Sequence, residues 1–99
     1  MVPGAISSNR MPVPVRPLDS YLDQFAPPEV MKIDVEGAEM DVLAGGRKTL
    51  RRARAVVVEC HSMLLLHDVL GLILDDGFER VSVTHGGDYV GPPAVMAIR

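Results

Sequence analysis

The stretch Met31–Gly46, MKIDVEGAEMDVLAGG, decides how this chain is read. With Val30 before it, it starts as an apolar strand. It then places Asp34, Glu36 and Glu39 within six residues. Met40, Leu43 and Ala44 follow at helical spacing, and Gly45 and Gly46 supply a cap or a break. A strand that passes through a short turn into a helix is the repeating unit of a parallel sheet.

Upstream, residues 1–12 hold Pro3, Gly4, Ser7, Ser8, Asn9 and Pro12 and read as a flexible arm. The domain is therefore placed at residues 13–99. PVPVRP (Pro12–Pro17) allows a short extended segment at a sheet edge or outside the sheet, because proline donates no ladder hydrogen bond. Leu18, Leu22 and Phe25 predict a short amphipathic helix, stopped by Pro27 and Pro28. Downstream, RKTLRRAR continues as a basic turn of helix, and AVVVECH predicts a strand buried on both faces. SMLLLHDVLGLILDDGF predicts a helix from Met63 to Asp75, closed by Gly77. FERVSVTH and AVMAIR predict two late strands, joined as an antiparallel hairpin by the turn-rich GGDYVGPP. The order is that of an α/β fold with a parallel core and an antiparallel end.

Ninety-nine residues make one domain at most. With two Phe, two Tyr and no Trp, the core must be aliphatic. A net charge of −3 argues against a nucleic-acid partner. One cysteine, Cys60, excludes an internal disulfide and fits a reducing compartment. The N-terminal sequence lacks the apolar core of a signal peptide, and no run approaches the roughly eighteen apolar residues that span a bilayer. The expectation is a cytoplasmic protein with no membrane partner.

In open α/β sheets, ligands bind beyond the carboxyl ends of the strands. Asp34 falls at such an end and Glu36 just past it. Glu39 and Asp41 suit a plainer task, offsetting the positive end of the helix dipole for a few tenths to about one kcal/mol each. A phosphate-binding turn wants glycines and free N–H groups, and three carboxylates would repel a phosphate. A ligand here presents a hydroxyl, an amine or a sulfonium. Lys32 shares strand parity with Asp34, and Glu59 shares it with His61. If the two strands are neighbours, the four residues form one polar cluster, with Lys32 paired to Glu59 or Asp34. Asp34, Glu36 and His61 match no strong metal-ligand spacing, so no metal is expected. Cys60 reads as inert core, His67 as packed or exposed on its helix, and His85 as loop. Arg47, Lys48, Arg51, Arg52 and Arg54 read as a solvated basic face after a helix.

VMKIDVEGAEMDVLAGG, followed by AVVVECH and then by GF after a helix, resembles the FkbM family of S-adenosylmethionine-dependent methyltransferases. The matching positions are Leu18, Asp19, Lys32 through Glu39, Leu43, Gly45, Glu59, His61, Gly77 and Phe78, over roughly residues 13–84. The resemblance implies the C-terminal half of a Rossmann-like methyltransferase sheet, with parallel strands ending in an antiparallel hairpin. It implies S-adenosylmethionine as the methyl donor and a small-molecule hydroxyl acceptor. It also implies catalytic roles at the strand ends, with Asp34 or His61 as the base and Glu36 orienting the acceptor. That family holds the donor on a Gly-rich turn after its first strand, and no such turn is present here. The expectation is therefore a half-domain, inactive alone, that self-associates through an exposed sheet edge at Val30–Val35. The alternative is a non-catalytic module that self-associates or complements a donor-binding half.

Overall fold

A computed structural model describes residues 11–99. The first ten positions, most of the expected arm, lie outside the described residues. Pro12–Pro17 forms no strand, and a 3₁₀ turn follows at Leu18–Tyr21. Then come β1 (Val30–Ile33), α1 (Glu39–Gly45), α2 (Arg47–Arg52), β2 (Ala55–Glu59), α3 (Met63–Asp75), β3 (Arg80–Thr84) and β4 (Ala94–Ile98). The sheet order is β1-β2-β4-β3, with β1 and β2 parallel and β4 antiparallel to both of its neighbours. The mixed α/β architecture and the antiparallel end are those expected.

Alternation along the strands sorts the two faces. Met31 and Ile33, Val56 and Val58, and Val95 and Ala97 point inward and are buried. Leu43 of α1, Leu50 of α2, and Leu66, Val69 and Ile73 of α3 cover them in one aliphatic core. The i, i+3, i+7 spacing on α3 is what lets one helix face fill that layer. Ser62 caps α3, its hydroxyl oxygen accepting from the Leu65 N–H at 3.0 Å.

The opposite sheet face carries Val30, Lys32, Val57, Met96 and Ile98. Among the described residues no helix covers it. Val30 is 62 % exposed and Met96 48 %, so β2 is not the strand buried on both faces that its composition predicts. A run of valines identifies a strand, but it does not say how many layers surround it.

The expected helix over Leu18–Phe25 shortens to a single 3₁₀ turn. The Asp19 carboxylate is used elsewhere, accepting from the N–H of Lys48 at 3.0 Å, the N–H of Thr49 at 2.8 Å and the Thr49 hydroxyl at 2.7 Å. It caps α2 from a distant part of the chain. A Cβ on Gly45 would lie 3.1 Å from Pro17 Cβ, and one on Gly46 would lie 3.0 Å from Leu18 Cδ2. The glycine pair therefore breaks the helix and also lets Pro17 and Leu18 pack against it. Arg47 begins a new helix rather than ending one, so it sits at the positive end of a dipole. Its expected solvated role gives way to pairing: Arg47, Arg51 and Arg99 all converge on the buried carboxylate of Asp76, at 3.5, 3.3 and 2.9 Å.

Candidate functional site

Parallel pairing matches Ile33 with Val58, so the next position sets Asp34 beside Glu59 at the carboxyl ends of β1 and β2. His61 follows two residues later. Asp34, Glu59 and His61 each offer a ligand atom within 4.8 Å of the others. Asp34 is exposed and Glu59 half-buried. The shared strand parity thus brings these three together. Lys32 lies on the same face, but no ion pair among the described residues includes it. With no layer over this face its ammonium group remains in water, and the desolvation that would demand a partner is absent. Glu36 is exposed in the turn between β1 and α1, next to Gly37 at φ +91°.

Sequence reasoning missed the role of Glu39. It was expected to offset the dipole of α1, and its side chain proves to be fully buried. Its Oε1 lies 2.6 Å from His61 Nδ1 and accepts from the Gly37 N–H at 3.2 Å. Burial opposes ionisation of Glu39, but the bonds from His61 and from backbone N–H groups outweigh it and hold the carboxyl below its ordinary value. An ionised carboxylate only accepts, so Nδ1 of His61 carries the proton and Nε2 takes no part in the bond to Glu39. The bond to Glu39 raises the His61 pKa against a smaller opposing effect of burial, and the charges of Glu39, Asp34 and Glu36 add to the rise. The second Glu39 oxygen, Oε2, is buried with no hydrogen-bond partner. The signal that points to Glu39 is its place at the first turn of a helix whose preceding strand neighbours the one leading to a histidine.

Cys60, between Glu59 and His61, is buried, and burial together with the Glu39 charge pushes its thiol up to about 11. A thiol held protonated is a core atom rather than a nucleophile. His67 is exposed on α3, and His85 is exposed beyond β3. An apolar groove of about 520 Å³ runs along α1, lined by Pro17, Leu18, Tyr21, Ala38 and Val42, and includes none of the clustered residues.

The Methyltransferase FkbM domain matches residues 4–80. The chain belongs to the FkbM methyltransferase family. The match takes in β1, α1, α2, β2 and α3 and ends at the first residue of β3, so every clustered residue lies inside it. No curated protein and no solved structure gives a significant match. Among the described residues no helix is long and apolar enough to cross a membrane.

Proposed function

We propose that this chain carries the acceptor-side chemistry of an S-adenosylmethionine-dependent O-methyltransferase acting on a small-molecule hydroxyl. The observation that carries this reading is the convergence of Asp34, Glu59 and His61 at neighbouring strand ends, with His61 fixed by the buried Glu39. Methylating a hydroxyl oxygen requires loss of its proton. Nε2 of neutral His61, or the Asp34 carboxylate, accepts that proton, and Glu36 orients the acceptor from the adjoining turn. Because neighbouring carboxylates raise the His61 pKa, its base form grows as pH rises above that value.

S-adenosylmethionine, when bound, supplies an electrophilic methyl group. The described residues do not by themselves form a donor site. Gly37 is the glycine of the β1–α1 turn, no atom lies within 4 Å of where its Cβ would be, and carboxylates flank it. That turn suits a cation and repels the donor's carboxylate, so the residue roles above concern the acceptor alone. Titration calorimetry of this chain with S-adenosylmethionine is expected to show no tight binding. The acceptor roles are tested by placing the Asp34→Asn and His61→Gln changes at the matching positions of a complete family enzyme. Turnover should fall at least tenfold in one of the two, and unchanged turnover in both rejects the assignment.

A second reading draws on the sheet. β1 is an edge strand, and Val30, Met96 and Ile98 are exposed on the uncovered face. An apolar edge beside an apolar face favours strand pairing with a second copy of the chain. Light scattering after size exclusion tests this, and a monomer at high concentration rejects it.

A further inference from the structure

We propose that Asp34, Glu59 and His61 bind a divalent transition-metal ion, with Glu39 as the residue that positions the histidine ligand. The three donors already lie within 4.8 Å of one another. Two atoms bound to one ion at about 2.1 Å stand roughly 3.0–3.4 Å apart. Closing the difference requires the side chains of the exposed Asp34 and half-buried Glu59 to turn toward the ion.

The decisive feature is the orientation of the imidazole. Metal-bound histidines characteristically donate their second ring N–H to a carboxylate, which fixes both tautomer and ring. His61 makes that bond at 2.6 Å to a carboxylate with no exposure to water. A capping or surface histidine needs no such support. The other oxygen of that carboxylate, Oε2, is buried without a donor, so among side chains His61 is the one that answers the negative charge of Glu39, beside the Gly37 N–H. A cation on the far ring nitrogen would complete the compensation. One nitrogen and two carboxylates suit manganese, iron or zinc better than magnesium, which favours oxygen ligands throughout.

Three protein ligands leave coordination positions open on the solvent side. If the methyltransferase reading above holds, an acceptor hydroxyl in such a position would lose its proton more readily, and in the metal-bound state His61 and Asp34 would serve as ligands in place of proton acceptors. Metal binding itself does not depend on that reading.

The test uses the whole chain, titrated separately with MnCl₂, ZnCl₂ and MgCl₂. Calorimetry follows all three, and loss of the free-ion electron paramagnetic resonance signal follows manganese. We expect one manganese or zinc ion per chain with micromolar affinity, and at least tenfold weaker binding of magnesium. Asp34→Asn, Glu59→Gln and His61→Ala should each weaken binding at least tenfold. Glu39→Gln should weaken it about 10- to 100-fold, the usual effect of losing a histidine's carboxylate partner. Asp41→Asn, which removes an exposed carboxylate on α1, should change it less than twofold. Circular dichroism confirms that each variant is folded. Absence of binding at millimolar metal overturns the proposal, as does binding that survives loss of His61 or falls equally with Asp41→Asn. A methyltransferase that binds no metal would fail this proposal alone, whereas metal binding without transfer in the complete enzyme would fail the functional reading alone.

Discussion

Replacing Asp19 with Ala should destabilise the domain by about 2 kcal/mol, although Asp19 belongs to no regular helix or strand and lies 29 positions from the nearer of its partners. Its carboxylate accepts two backbone N–H groups at the first turn of α2 and the hydroxyl of Thr49. Loss of an N-terminal cap costs about 0.5–2 kcal/mol, and a hydrogen bond to a charged group adds about 1.5–3 when buried. Asp19 is partly open to water, so the lower part of the combined range applies. In urea, with a slope of about 1–2 kcal/mol/M, the midpoint should fall by roughly 1–2 M. Asp19→Asn keeps an acceptor but loses the charge, and should cost about 0.5–1 kcal/mol. The pH dependence has a definite sign. Burial opposes ionisation of Asp19, yet the Lys48 and Thr49 donors outweigh it and lower its pKa. A lowered folded-state value means that its stabilisation is complete above the unfolded pKa of about 4 and disappears as pH falls through the folded value. The gap between wild type and Asp19→Ala should therefore narrow in acid. Equal midpoints at neutral pH would refute the reasoning, and so would a gap that persists below the folded-state pKa.

Glu39→Gln should bring the His61 pKa back toward the ordinary histidine value, read from the imidazole resonances by NMR titration; an unmoved titration would show that the contact is not electrostatic. The pair stabilises the fold between two limits. The part that raises the His61 pKa is lost as pH climbs through that raised value, and the part that lowers the Glu39 pKa is lost as pH falls through that lowered one. Cys60, protonated up to about 11 and buried, should react with a disulfide reagent at neutral pH only at the rate of opening, so prompt stoichiometric labelling of the folded chain would contradict its placement. Arg99→Ala removes donors to Leu50 O, Ala53 O, Asp76 O and the Asp76 carboxylate, together with the stacking 4.0 Å from the Phe78 ring. A loss of about 2 kcal/mol in thermal unfolding is expected, and a change under about 0.5 kcal/mol would mean that the network is loose.

The repeating elements were legible because their cause is local. The helix Met63–Asp75 follows from Ser62, an apolar 3.6-residue period and Gly77, all within its own stretch. Strand parity placed Asp34 with Glu59 and His61, because alternation and parallel neighbours are enough to bring strand ends together. What escaped the sequence depends on distant partners. Asp19 reads as an ordinary helix residue until α2 comes to rest against it. Arg47 and Arg51 read as solvated until Asp76 and Arg99 arrive from the ends of α3 and β4. Lys32 was expected to pair with Glu59 or Asp34 because it lies within an apolar strand, but the face it occupies is uncovered and its side chain is exposed. Glu39 is the instructive case. A carboxylate at the first turn of a helix has a sufficient local explanation, and that explanation concealed its burial.

Glu39 also joins two parts of the molecule that the layered fold would otherwise keep apart. Asp34 and Glu59 share strand parity with residues of the uncovered sheet face, whereas Glu39 lies in the helical layer with Leu43. His61, just beyond the end of β2, is the residue that reaches both, through Nδ1 to Glu39 and through its proximity to the two carboxylates. The position of α1 therefore sets the orientation of the imidazole. The carboxylate of Glu39 is fully buried and α1 is anchored by Leu43, so the ring is held by the same packing that forms the core. A histidine at a strand end with only water around it would sample several rotamers. Here a shift of α1 by even 1 Å would lengthen a 2.6 Å bond beyond good hydrogen-bond geometry and release the ring. The geometry of the exposed strand ends thus depends on the integrity of the opposite, aliphatic layer.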